Sequence, residues 1–475
     1  MSDVLTNKEQ LSIGIVGGGI AGLSAGCALA DAGFRVSIFE RRPFVGGRAS
    51  SYEHPGTGET VDNCQHVLLG CCTNLLDFYR RIGVADRIRW FDRLIFIEPG
   101  GQRSEIAPSR LPAPFHTSPS FLRAASLSWA DKIAISRAML ALMGALPPDS
   151  SMSFADWLRE HRQTQGAIDR FWKVVLVSAI NEDLDRISVH YGAQVFRESF
   201  LKSAEAGKMG VPTVPLSDLY SKAISYIEQR NGKVYLRTSV EGVVAERDNV
   251  VLQLGATAER FDFAVMAVPH NALGKLLPSQ NGLGETSTQL QAQIGKFESS
   301  PITGIHLWFD GEVTELPHAV LLDRTIQWMF QKSKLQPQRQ GAEQVGSYLE
   351  LVVSSSKSLV GMGRQEILDL ALGELAEFFP RVREVQLLKA TVVKEVHATY
   401  SALPGSDAYR PESRTPWPRV FLAGDWTATG WPATMEGAVR SGYSAAEAVA
   451  ESGHRQDKFL ISDLSPSGLM RFLGN

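Results

Sequence analysis

The chain has 475 residues, a formal net charge of −3, 44% hydrophobic and 21% charged residues, a balance that describes an ordinary globular chain and points away from nucleic acid. Its length predicts two domains. Cys27, Cys64, Cys71 and Cys72 show neither metal-ligand spacing nor a disulfide ladder, and the first ten residues lack a basic start followed by an apolar core, so the expectation is a reduced, cytoplasmic protein without metal or secretory leader. The longest markedly apolar stretch, residues 138–148, is too short to cross a bilayer.

In chain order, Ile13, Ile15 and Val16 form a short apolar run, Gly17-x-Gly19-x-x-Gly22 follows, and residues 23–32 are rich in Ala and Leu until Gly33. That pattern predicts strand, tight turn and helix. Residues 35–39 form a second strand-like run ending in Glu40, eighteen residues after Gly22. Gly17 permits the turn, Gly19 lets backbone approach a pyrophosphate, and Gly22 lets helix and strand pack closely; Ile20 and Ala21 open a helix whose N-terminus faces the phosphates. Glu40, followed by Arg41, is placed to accept hydrogen bonds from a ribose. The run continues into Gly46-Gly47-Arg48 and Ser50. An acid followed by G-G-R-x-S resembles the FAD signature of the flavin amine oxidase and carotenoid desaturase superfamily, with Arg48 as a fixed cation for the diphosphate.

Further along, Trp129, Ile133, Leu140 and Met143 share one helical stripe flanked by Lys132 and Arg137, and residues 459–473 add apolar side chains. Peripheral contact with a membrane surface is the expectation. Residues 233–236, 240–245 and 250–254 predict a three-strand meander, and in residues 261–269 the positions Asp262, Ala267 and Pro269 resemble the strand that closes the superfamily's first FAD-binding sheet. The resemblance puts the backbone of Val240 beside the adenine. Alternating runs at 302–309, 326–330 and 348–353 predict further strands. Residues 420–423 form a last strand with Gly424 and Asp425 at its carboxyl end, where ligands of open α/β sheets collect; in the superfamily such an Asp holds the ribityl chain. Residues 436–450, approached through Thr434 and Met435, read as a helix whose N-terminus faces the flavin's pyrimidine oxygens. The fold class is therefore α/β: a Rossmann-like FAD-binding domain of the flavin amine oxidase type at 11–75, 206–278 and 415–453. A discontinuous mixed α+β substrate domain occupies 76–205, helical through residue 200, and 279–414, with a tail at 454–475.

Residues 61–84, 300–310, 327–330 and 423–442 together resemble the hydroxysqualene dehydroxylases, FAD-dependent enzymes of squalene and hopanoid synthesis. Thr434 stands where amine oxidases commonly carry an aromatic-cage Tyr, and Gly304 and His306 stand in a strand where they tend to carry Lys. The last helix and its approach contain no Cys, so non-covalent FAD is expected. The implied substrate is a thirty-carbon allylic alcohol in an apolar tunnel, with residues 115–143 and Trp308, Phe309, Trp328, Phe330 and Trp431 as candidate lining. The implied reaction is acid-assisted loss of hydroxyl and hydride transfer from reduced flavin, with Asp62 and His66 of the D-N-C-Q-H run as candidate acids. Two alternatives share the architecture: a polyprenyl desaturase, and a prenyl-binding protein without flavin chemistry.

Overall fold

Parallel strands buried on both faces need apolar side chains at every position, and the strand Ser12–Val16 is buried throughout. It is flanked by Arg35–Phe39 on one side and Phe263–Met266 on the other, both parallel to it. Lys233–Tyr235 and Val420–Leu422 form the two edges, completing five parallel strands. The computed structural model describes residues 10–278, 284–337 and 346–472, so the first nine residues and residue 473 of the apolar tail lie outside the described residues.

The helices Ile20–Asp31 and Met435–Ser452 cover one face of this sheet. They cross closely because Gly442 has no side chain: a Cβ there would stand 2.2 Å from Ser24 Oγ and 2.4 Å from Ala21 O. The other face packs on an antiparallel meander, Gly242–Ala245, Val250–Leu254 and Thr257–Phe261. The expected meander is thus shifted by one strand. Lys233–Tyr235 belongs to the parallel sheet instead, since its backbone register continues from Arg35–Phe39. Asp262 fastens the meander's end by accepting from Ser12 N at 2.7 Å and Ser12 Oγ at 2.8 Å.

A second sheet has seven strands in the order Leu387–Tyr400, Ser299–Phe309, Ser347–Ser354, Trp328–Gln331, His318–Leu321, Leu94–Ile97 and Arg103–Ile106. Its last two strands lie in the stretch expected to be helical. They are placed there by long-range pairing of Val320 and Leu321 with Phe96 and Ile97. The helix Arg364–Phe378 packs against this sheet, and helices between residues 118 and 201 form a third layer over the meander side. Among the described residues no helix is long and apolar enough to cross a membrane, and no group of three His, Cys, Asp or Glu is arranged to hold a metal.

Candidate functional site

The carboxyl ends of the parallel strands open into a cavity of about 860 Å³ that continues to the seven-stranded sheet. Gly17 starts its wall with φ 108°, and a Cβ there would meet Ala267 O at 2.4 Å. Gly19 has open space on its cavity side, the nearest atom to a Cβ being Gly47 Cα at 3.9 Å, so a ligand can reach the backbone. Gly22 is not in the lining: its Cβ would strike Gly17 O at 2.0 Å, which makes it a packing glycine. Gly46 and Gly47, with φ 104° and 63°, fold over Gly19. The helix Ile20–Asp31 has no side-chain cap at Gly19, and Ile20 and Ala21 line the cavity, which leaves its first-turn N–H groups for an anion.

Glu40 is buried and lines the cavity; its Oε2 accepts from Gly18 N and its Oε1 from Arg42 N, both at 2.8 Å. It therefore stabilises the glycine turn from the cavity wall, a duty that spacing alone does not reveal. Arg41, Val240, Thr434 and Met435 line the same cavity. Thr434 caps the helix Met435–Ser452 by accepting from Gly437 N at 3.0 Å. Gly424 must lack a side chain because a Cβ would lie 2.3 Å from the Trp426 indole nitrogen. Asp425 and Arg48 meet through a 2.7 Å bond, and Arg48 also donates to Ala398 O at 2.9 Å. Burial opposes the charge on Arg48, and Asp425 restores it. Cavity-lining glycines with backbone open to a ligand, a buried acid at the end of the second strand and a buried aspartate at the end of the last fit FAD.

Asp62 and His66 separate. Asp62 is buried at the end of the strand Thr60–Asp62, outside the cavity lining. Its Oδ1 accepts from Ser51 Oγ at 2.5 Å and its Oδ2 from Lys332 Nζ at 2.5 Å. Lys332 also donates to Gln65 Oε1 at 2.7 Å and lies 3.3 Å from Glu350. Asp62 is thus an anchor beneath the loop 63–66 and not a group at the cavity, because its strand-end position points it toward a buried lysine. His66 does line the cavity. Its Nδ1 donates to Cys64 O at 2.7 Å, a carbonyl that can only accept, which leaves Nε2 as the basic atom. Burial lowers its pKa and so favours the neutral ring.

Two cavity groups escaped the sequence reading. Asn63 Nδ2 donates to Arg48 O at 3.0 Å and to Glu395 Oε2 at 3.1 Å, and both side chains line the cavity. Glu395 falls in strand alternation with the buried Thr391 and Val393 of Leu387–Tyr400, and a carboxylate in that register is the signal that marks it. Cys64 also lines the cavity; burial, then Glu350, Glu395 and Asp62, push its thiol well up. Of the candidate aromatics, Trp328 and Phe330 line the cavity and stack at 5.5 Å. Trp308 packs on Tyr348 and Trp431 on Cys71 and Ala206, while Phe309 lies in the core beneath the second sheet. No residue of 115–143 is in the lining.

Residues 20–450 match the flavin containing amine oxidoreductase family. The chain is 29% identical to the probable zeta-carotene desaturase of Synechococcus elongatus, covering 93% of this chain and 99% of that one. It is 27% identical to that organism's 15-cis-phytoene desaturase, covering 94% and 97%. Among solved structures, an oxidoreductase from Methanosarcina mazei superposes with a TM-score of 0.70 at 16% identity, over 92% of this chain and all of that one, a likeness of fold. The cofactor is FAD. With the glycine cradle, the acid at Glu40 and a match across nearly its whole length, the chain belongs to the flavin containing amine oxidoreductases, with carotenoid desaturases among its homologues.

Proposed function

We propose that the chain removes the hydroxyl of hydroxysqualene and replaces it with hydrogen, giving squalene for hopanoid-type lipids. One juxtaposition carries this reading: Ile302, Trp328, Phe330 and Val352 make an apolar wall in the same cavity as Glu395 and Asn63. A pure hydrocarbon gives a carboxyl and an amide nothing to bind, whereas an allylic alcohol offers them a hydroxyl. Bound FAD in its reduced form supplies the hydride. Protonated Glu395 gives its proton to the departing hydroxyl, which leaves as water, and Asn63, anchored on the Arg48 main-chain carbonyl, holds the Glu395 carboxyl in place. The Trp328 and Phe330 rings present π faces to the allylic cation left behind.

A second reading, desaturation of a polyprenyl hydrocarbon, is favoured by the curated relatives, and His66 Nε2 in the cavity is its candidate proton acceptor. Direction of electron flow separates the two. Dithionite-reduced protein mixed anaerobically with hydroxysqualene should reoxidise its flavin and form squalene, and Glu395→Gln should slow this by ~10²–10⁴ with flavin retained. Oxidised protein that instead dehydrogenates phytoene or zeta-carotene, with no squalene formed in the first assay, replaces the dehydroxylase by the desaturase.

A further inference from the structure

The helix Trp129–Ala141 is built inside out for a helix on a water-facing surface. Its buried face carries Asp131 and Lys132 beside Ala134, Ile135 and Ala138. Its outward face carries Trp129, Ile133 and Leu140, exposed by 67%, 51% and 57%. Surface helices ordinarily show the reverse. The inversion is held by specific bonds: Asp131 accepts from Ser128 Oγ at 2.6 Å and Thr164 Oγ1 at 2.5 Å, and Lys132 Nζ donates to Leu122 O at 2.9 Å.

Two further segments extend the apolar surface. Lys132 ties the helix to Ser118–Arg123, on which Leu122 is exposed, and just before it lie exposed Leu111 and Phe115. The turn Gly468–Phe472 docks on the same loop through Leu469 N to Ala113 O at 2.9 Å, sinking Met470 into the core while Leu469 and Phe472 stay outside, Phe472 by 84%. Two neighbouring segments and the distant turn Gly468–Phe472 thus present Leu, Ile, Phe and Trp side chains to the outside. Charge along them is one-sided. From residue 106 to 145 the exposed charges are Arg110, Arg123 and Arg137, the lone acid Asp131 being buried, and Arg471 adds a fourth cation in the C-terminal turn. This stands against a chain of net charge −3.

We infer that this face seats on an anionic lipid bilayer surface, with Trp129, Ile133, Leu140 and Phe472 entering the interface and the four arginines meeting headgroup phosphates. Aromatic and aliphatic side chains with mainly basic neighbours match the chemistry of an anionic leaflet, the exposed Glu105 at the edge of this face being paired with Arg93. The inference is independent of which reaction the cavity performs.

Flotation of the full flavoprotein with phosphatidylcholine vesicles, with and without phosphatidylglycerol, tests it. The chain should float with the anionic vesicles and lose affinity as salt rises. Trp129→Ser/Ile133→Ser/Leu140→Ser should lower the partition coefficient by about a hundredfold. Each of Arg110→Gln, Arg123→Gln and Arg137→Gln should cost about fivefold on anionic vesicles and little on neutral ones. The visible flavin spectrum of each variant reports that the fold is kept. Wild-type protein left in the lipid-free fraction overturns the inference, as does a triple variant that floats equally well. A lipid-free dimer that the triple variant turns into monomer also overturns it, assigning the face to a second copy of the chain.

Discussion

Arg48 and Asp425 are 377 positions apart in sequence and 2.7 Å apart in space. Their bond joins the double-glycine loop to the end of the last parallel strand, closing the cradle from both sides. Asp425 is only 6% exposed at its side chain, whereas Arg48 is 31% exposed, so water screens the pair from one side. Arg48→Met should therefore cost about 1–3 kcal/mol in urea unfolding of flavin-free protein, less than a fully buried pair. The same variant should release FAD more readily. Unchanged unfolding and unchanged flavin affinity would show the pair to be screened out.

Lys332 is a stronger case, since neither it nor Glu350 is exposed and Asp62 scarcely is. Lys332→Met takes the cation away from two buried carboxylates and should destabilise by about 3–5 kcal/mol. Adding Asp62→Asn should recover part of that loss, because a neutral amide needs no counter-charge there. Equal stability of the single and double variants contradicts the coupling.

Acid should weaken the fold through His318. Its ring is fully buried, edge-on to Phe91 at 4.6 Å, and neither ring nitrogen has a hydrogen-bond partner among the described residues. Burial, with Arg89 nearby, brings its pKa down to about 4. Between that value and about 6.5 the unfolded chain binds a proton that the folded chain refuses, so stability is full above the window and falls as pH drops through it. The loss amounts to about 3 kcal/mol by the bottom of the window. Burial lowers the pKa of His66, His116 and His270 as well, adding to the same slope. His318→Phe should flatten the pH dependence of urea midpoints; an unaltered slope assigns it to other groups.

Acid precipitation should release all flavin into the supernatant. Cys64 is the cysteine in the cavity lining, and its thiol is held protonated by burial and by the carboxylates around it, which denies it the thiolate form that covalent attachment requires. Glu40→Ala should lower FAD affinity by removing both the ribose acceptor and the clamp on Gly18. Yellow colour retained in the pellet, or unaltered affinity, would count against these roles.

Local pattern carried four of the five parallel strands and the cavity-lining groups at their ends: a strand, a glycine turn and a helix lie within twenty residues, and Gly424, Asp425, Thr434 and Met435 fall in one short segment. Pairings across the chain did not show. Asp62 reads as a candidate acid until Lys332 arrives from 270 residues away, and Glu395 reads as an ordinary strand residue until Asn63 and the cavity reach it. The stripe on Trp129–Ala141 has the spacing of a core face. Which side turns outward was decided by Thr164 and the Leu122 carbonyl, which capture Asp131 and Lys132 from other segments.

Strand Phe263–Met266 pairs along one side with Ser12–Val16 and along the other with Val420–Leu422. On a ribosome the first partner emerges well before this strand and the second well over a hundred residues after it. Until then the edge of Phe263–Met266 stands open, Asp425 is still inside the exit tunnel, and FAD has no complete seat. Closure of the cofactor seat therefore waits on this late strand, and chains in which Val420–Leu422 has not yet paired present a bare sheet edge open to aggregation.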